Sequence, residues 1–176
     1  MTDPNSATST SLAWLFFALL VVLNWGLYGI FLHKGQMAMH TADGPPPGDV
    51  RYKAFFFVGI AYLIIAVVGS AIMIKSSGGS FTFSNKGMTW SLIAGTVGAI
   101  GAFCVLLAFG AAPKPTFTYV PVIMAIIFAG APIVNATVSM CMHPPKAGWG
   151  SIPWQFYVGI CLAAAGGCLV TLFKPS

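Results

Sequence analysis

The sequence predicts an all-α fold, a polytopic bundle of five helices crossing a lipid bilayer. Three observations lead there. Only 6% of the 176 residues are charged and 57% are hydrophobic, against roughly a quarter charged in a soluble domain, so the chain lacks the polar coat of a water-exposed fold. Five charge-free runs are each long enough to cross a hydrocarbon core of about 30 Å, which takes about 20 helical residues. Nothing alternates apolar and polar as a barrel strand would, and an unpaired backbone group in hydrocarbon costs several kcal/mol, so each run must be a helix.

The runs are expected near residues 12–33, 54–74, 90–112, 117–140 and 152–173. Ahead of the first, MTDPNSATSTS carries no basic residue, and the run behind it exceeds a signal peptide's apolar core. Residues 1–11 are therefore expected to be a polar tail before a retained anchor, with residues 12–174 as one membrane domain. The first connection, KGQMAMHTADGPPPGDVRYK, holds three successive prolines that forbid helix and favour an extended bend. KSSGGSFTFSNKGMT reads as a Gly/Ser loop whose FTF can lie on the membrane surface. APKPT is a tight reversal, and CMHPPKAGWGS makes the last connection. Trp14, Trp90, Trp149 and Trp154 fall near the span ends, where amphipathic rings favour the headgroup level.

The net charge of +5 comes from eight basic and three acidic residues, all between or outside the apolar runs. Such charge anchors helix ends at the interface, and without a basic cluster among exposed aromatics it is no nucleic-acid surface. Lys34, Arg51, Lys53, Lys114 and Lys174 share one side, and Lys75, Lys86 and Lys146 the other. The bias places the N-terminus outside and the C-terminus in the cytoplasm of a cell (inner) membrane. So narrow a margin is also what a chain inserting in both orientations would show. Cys104, Cys141, Cys161 and Cys168 have no CxxC spacing, and three sit in apolar runs where a free thiol packs as a small hydrophobe. No HExxH, GxSxG or phosphate-cradling glycine loop occurs, so neither an enzyme nor a metal or other cofactor is expected.

Helices in lipid associate through close backbone approach and polar contacts, because lipid tails are as apolar as leucine. In the third run Ser91, Gly95, Gly98, Ala99 and Ala102 recur at three- and four-residue spacing and make one side nearly free of side chains. Gly159, Ala163 and Gly167 repeat the device in the fifth. These stripes serve packing within the monomer or a subunit interface. The fourth run carries Pro121 and Pro132. The Pro132 ring pushes away the carbonyl of Phe128, which predicts a kink or break near FAGAP, with Asn135 within one turn. Such an interruption lines a substrate cavity in many transporters, or serves packing alone.

Asn24 and Tyr28 are four apart and share a helix face, with Trp25 about 100° around from Asn24. An amide and a phenol both donate and accept, and an indole gives a flat wall with one donor. With Tyr62, Pro132 and Asn135 they suit the lining of a path for a small neutral or zwitterionic solute. The alternative is that the asparagines bridge helices, a contact of about 0.6 kcal/mol in membranes. Asp3, Asp43 and Asp49 are the only carboxylates and all lie outside the runs, so the intramembrane acid of a proton-coupled cation exporter is missing. His33, His40 and His143, at span ends or in loops, read as interfacial polar groups.

The order of the runs and their signposts resembles one repeat of the drug/metabolite transporter superfamily, of the EamA-like kind. AGTVGAIGAFCVLLAFGAAP is similar to the family's small-residue third helix, and YVPVIMAIIFAGAPIVNATVS to its fourth, with an apolar-Pro-Val motif at APIV. WQFYVGICLAAAGGCLV resembles the closing helix. NWGLYGIFLHKG resembles a Trp-Gly first helix ending in lysine, here Trp25, Gly26 and Lys34. The family's acidic residue after the fourth helix has no counterpart in MCMHPPKAGWG. The resemblance implies a carrier built from two five-helix repeats in inverted orientation, of which this chain holds one. It would then work as an antiparallel homodimer or with a related membrane chain, its first and fourth helices facing the passage. The competing expectation is a non-transporting structural or assembly subunit of a larger membrane complex, docked through its glycine faces.

Overall fold

The computed structural model describes the backbone of residues 4–40 and 48–173, and the side chains of these from residue 13 onward. Five helices account for the architecture: α1 (Pro4–Ala38), α2 (Val50–Ser76), α3 (Asn85–Ala111), α4 (Thr116–Met142) and α5 (Trp154–Leu172). Each contains a stretch long and apolar enough to cross a membrane, starting at Ala13 in α1, and no strand occurs among the described residues. The protein is thus an all-α, multi-pass membrane bundle.

The helices α1 to α4 overrun the apolar runs at one end or both, while α5 falls slightly short of its run. At 1.5 Å per residue the 27-residue helices α2, α3 and α4 measure about 40 Å, close to a bilayer with its headgroup layers. Hydropathy senses only the hydrocarbon slab, so the end turns are missed. Those turns carry Lys34, Arg51, Lys53, Lys75 and Lys86, whose long stems keep the charge at the interface. The first helix also reaches back to Pro4, so residues 4–11 continue its backbone. Residues 1–3 and the proline-rich bend at 41–47 lie outside the described residues.

Local signals set the boundaries. Ser84 is extended and caps α3, accepting from the Gly87 N–H at 3.1 Å, which satisfies one of the four orphan donors of a helix start. Pro115 and Pro153 stand immediately before α4 and α5, where their fixed φ presets the first turn. Two features depart from expectation. The fourth helix runs unbroken from Thr116 to Met142 through Pro121 and Pro132, so no break occurs at FAGAP; one lost backbone bond does not outweigh the intact ladder around it in a solvent that offers no other partner. In α2 the stretch Ile64–Gly69 forms a π-turn, where β-branched Ile64, Ile65, Val67 and Val68 crowd successive turns.

The chain divides into two compact units, Met1–Ile30 with Pro113–Ser176, and Phe31–Ala112. In the first, Gly29 of α1 faces Met124 of α4, so close that a methyl on Gly29 would stand 2.8 Å from Met124 Cγ. One turn earlier in α1 the Trp25 ring meets Phe128, one turn later in α4, with centroids 6.5 Å apart. The opposite order of these contacts makes α1 and α4 antiparallel. The α5 helix packs back along α4 as a hairpin, with Gly167 buried against Ala129. It follows that α1 and α5 run in the same sense, as an odd number of crossings requires.

In the second unit Leu32, Val50, Ala54, Ala102, Val105, Leu106 and Phe109 are buried. Tyr52 stacks on Phe103 at 6.3 Å and 25°, and Phe55 tilts onto the same ring at 5.6 Å. Of the small residues expected to pack along α3, only Ala102 is buried; Ser91, Gly95, Gly98 and Ala99 are exposed. On α5, Gly167 packs while Gly159 and Ala163 stay open. All four cysteines are free and exposed, including the three in apolar runs expected to pack as small hydrophobes.

A Cβ on Gly167 would stand 2.6 Å from the Ala129 Cβ, a rigid neighbour, whereas one on Gly159 meets nothing within 4 Å. Gly167→Ala is therefore expected to destabilise the protein by about 1–3 kcal/mol and Gly159→Ala to leave it unchanged. Thermal unfolding of the two variants in detergent tests this, and equal melting points would show that the α4–α5 approach does not depend on the glycine.

Candidate functional site

The residues expected to line a path divide between the units. Asn24, Trp25, Tyr28, Pro132 and Asn135 belong to the first, and Tyr62, exposed on α2, belongs to the second. Within the first unit, α1 places Trp25 and Tyr28 together, with ring centroids 5.6 Å apart and planes tilted by 49°. Trp25 also meets Phe128 nearly edge-on, at 83°. The indole thus helps to join α1 to α4 and is no free wall, although 38% of its surface remains exposed.

Asn24 is exposed, and its Nδ2 donates to the Leu20 carbonyl at 2.8 Å, one turn back on the same helix. That bond satisfies one N–H inside the membrane and leaves the amide oxygen and the second N–H for another partner. Pro132 and Asn135 are exposed on α4. With Trp25 level with Phe128, Asn24 stands near the level of Ala129, and Asn135 lies about 9 Å farther along the axis. The two amides therefore occupy different depths of one antiparallel helix pair, and the single chain covers neither.

Beside them, α4 and α5 form a groove of about 440 Å³ whose lining includes Ile126, Gly130, Ile133, Ala164, Cys168 and Leu172. Thr171 supplies its one hydroxyl, already donated to the Gly167 carbonyl at 2.9 Å. Such a surface has nothing to offer a polar solute. Neither Asn24 nor Asn135 lines it.

A second polar cluster appears where the sequence pointed only to interface anchoring. Near the end of α1, Gln36 is 6% exposed and is the buried polar residue of the core. Its Nε2, the Nδ1 of His33 and the Nε of Arg51 are buried polar atoms without a hydrogen-bond partner among the described residues. Arg51 sits in the first turn of α2, its guanidinium 5.0 Å from the centroid of the Tyr52 ring. The sequence signals were faint: Gly35, Ala54 and Gly110, small residues that let helices close around these side chains, are unremarkable in so glycine-rich a chain.

No protein-family model matches the chain, and neither does any curated protein or solved structure.

Because the Asn24 bond is local and the side chain exposed, Asn24→Ala is expected to change stability by less than about 0.5 kcal/mol. Trp25→Ala should cost more, since an aromatic pair contributes about 0.5–1.5 kcal/mol beyond area burial. Unfolding curves in detergent separate the two, and a Trp25→Ala protein as stable as Asn24→Ala would show that the ring contact with Phe128 contributes nothing to joining α1 and α4.

Proposed function

We propose that this chain is a half-size, EamA-like carrier that moves a small neutral or zwitterionic metabolite by alternating access, as an antiparallel dimer or with a related membrane chain. One observation carries the reading: Asn24 and Asn135 lie within the lengths of two adjacent antiparallel spans and are left uncovered by the single chain. Polar side chains in membrane helices ordinarily face protein or a watery path, so a second chain is the natural cover. The orientation of the helices is compatible, since α1 and α5 run in the same sense and a partner inserted upside down presents the same surface in mirror direction. Asn24 and Asn135 then supply donors and acceptors to the solute, with Trp25 and Tyr28 shaping the wall. Tyr62 and Pro132 belong to the same proposed lining, and the membrane is the cell (inner) membrane.

A second reading rests on a different observation. A Cβ added at Gly95, Gly98 or Gly159 would meet nothing within 4 Å, which leaves flat surfaces of the kind that dock membrane helices. A structural or assembly subunit would use them.

Flux into reconstituted vesicles distinguishes the two. For a carrier, Asn24→Ala and Asn135→Ala are expected to abolish uptake while the protein keeps its fold, and labelling of Lys34 and Lys75 in intact cells should find both on both sides of the membrane. For a subunit, Gly95→Leu or Gly159→Leu should dissociate a complex with no solute moved by any variant. One fixed orientation without an inverted partner would rule out the homodimeric arrangement.

A further inference from the structure

Among the described residues Arg51 is a cation without an anion. Its guanidinium lies against the backbone of Gly110 near the end of α3, where even a methyl group would collide with it. The negative end of that helix offsets part of the charge, but no carbonyl accepts the Nε proton. Asp49 is the only carboxylate among the described residues, and it is held by Lys53 at 2.8 Å. That hydrogen bond lowers the Asp49 carboxyl below the ordinary carboxylate range.

Gln36 repeats the imbalance with a neutral group. It is over nine-tenths buried, and Nε2 has no acceptor among the described residues, which leaves the desolvation of that N–H uncompensated. The two residues stand at a similar height on neighbouring helices. A methyl on Gly35 would lie 3.9 Å from the Ala54 Cβ, in ordinary contact between α1 and α2. Gln36 follows Gly35, and Arg51 precedes Ala54 by three residues, so both stand within about 4.5 Å, along the helix axes, of that single contact. The unmatched atoms of Arg51 and Gln36 are donors only, and the start of α2 adds its own partial positive charge. Among the described residues no set of anionic oxygens faces them.

The depth narrows the chemistry. Arg51 occupies the first turn of a spanning helix, the level of lipid headgroups, where the planar guanidinium fork matches phosphate bidentately. We propose that Arg51 and Gln36 form a binding site for a phosphoryl group, supplied by the headgroup of an anionic phospholipid or by free phosphate. Arg51 takes two oxygens, Gln36 Nε2 takes another, and the exposed Lys34 adds attraction at longer range. Gly110 leaves room for the guanidinium. The site is independent of the carrier reading and stands or falls without any flux measurement.

The test uses the full-length protein in an uncharged detergent, with its melting temperature followed as dioctanoyl phosphatidylglycerol, inorganic phosphate or dioctanoylglycerol is added. A saturable rise with the phospholipid alone assigns the site to a headgroup, and a rise with inorganic phosphate assigns it to the free anion. Arg51→Gln should abolish the rise. Because that variant also loses packing, the decisive one is Gln36→Leu, which exchanges the buried amide for an apolar side chain of similar size. It should fold and require about tenfold more ligand for half-saturation, the weight of one hydrogen bond to a charged group. The proposal is overturned if neither phosphate source stabilises the wild-type protein, if dioctanoylglycerol does so equally, or if Gln36→Leu binds as tightly as wild type.

Discussion

In hydrocarbon two helices gain nothing by hiding leucine from the solvent, so what holds this bundle is how near one backbone can come to the next. Each close approach described runs through a glycine. Gly29 admits Met124 between α1 and α4, and Gly167 admits Ala129 between α4 and α5. Within the other unit Gly35 meets Ala54, and Gly110 makes room for Arg51. The large side chains do the reverse of what they do in water: Leu92, Ile65 and Leu172 are each more than 70% exposed, because lipid is their proper surroundings. The fully buried large side chains are Leu106 and Phe109, and the remaining cohesion comes from dispersion between surfaces that glycine has flattened.

That constraint explains which parts of the fold could be read in advance. Charge depletion and run length establish five spanning helices, since both report directly on the solvent the chain tolerates. The ends were misplaced because Lys34, Arg51 and Lys86 look like boundaries to a hydropathy scale, whereas a helix continues through the headgroup layer with its charges reaching outward. The choice among glycines was illegible for another reason. Gly95, Gly98 and Gly159 have the same neighbours in sequence as any packing glycine, but contact needs a partner at the same height, and only Gly167 finds Ala129. The π-turn at Ile64–Gly69 and the unbroken helix through Pro132 are likewise settled by competition along the whole ladder, which no single residue announces.

The candidate site was legible in part. The polar residues of α1 and α4 stood out because amides are conspicuous in greasy sequence, and the structure puts the two helices side by side. It also gives Trp25 a structural duty through Phe128 that spacing within one helix could not reveal. Gln36 and Arg51 escaped notice because each has an ordinary explanation taken alone, one as a helix-end amide and the other as an interfacial anchor. Their interest lies in polar atoms that are buried without an acceptor among the described residues, a property of packed helices and not of any segment.

The pairing of α1 with α4 sets a timetable for biogenesis. Trp25 leaves the ribosome roughly ninety residues before Thr116 opens the helix that bears Phe128, a delay of roughly 5–20 s at ordinary translation speeds. Through that interval the Trp25 face of the first helix sits with its indole and its amide toward lipid or the insertion machinery, although the Gly35 end can already meet Ala54 of α2. The early membrane intermediate therefore holds the end of the first helix on the second and third crossings, and its Trp25 face is claimed only when the fourth crossing emerges.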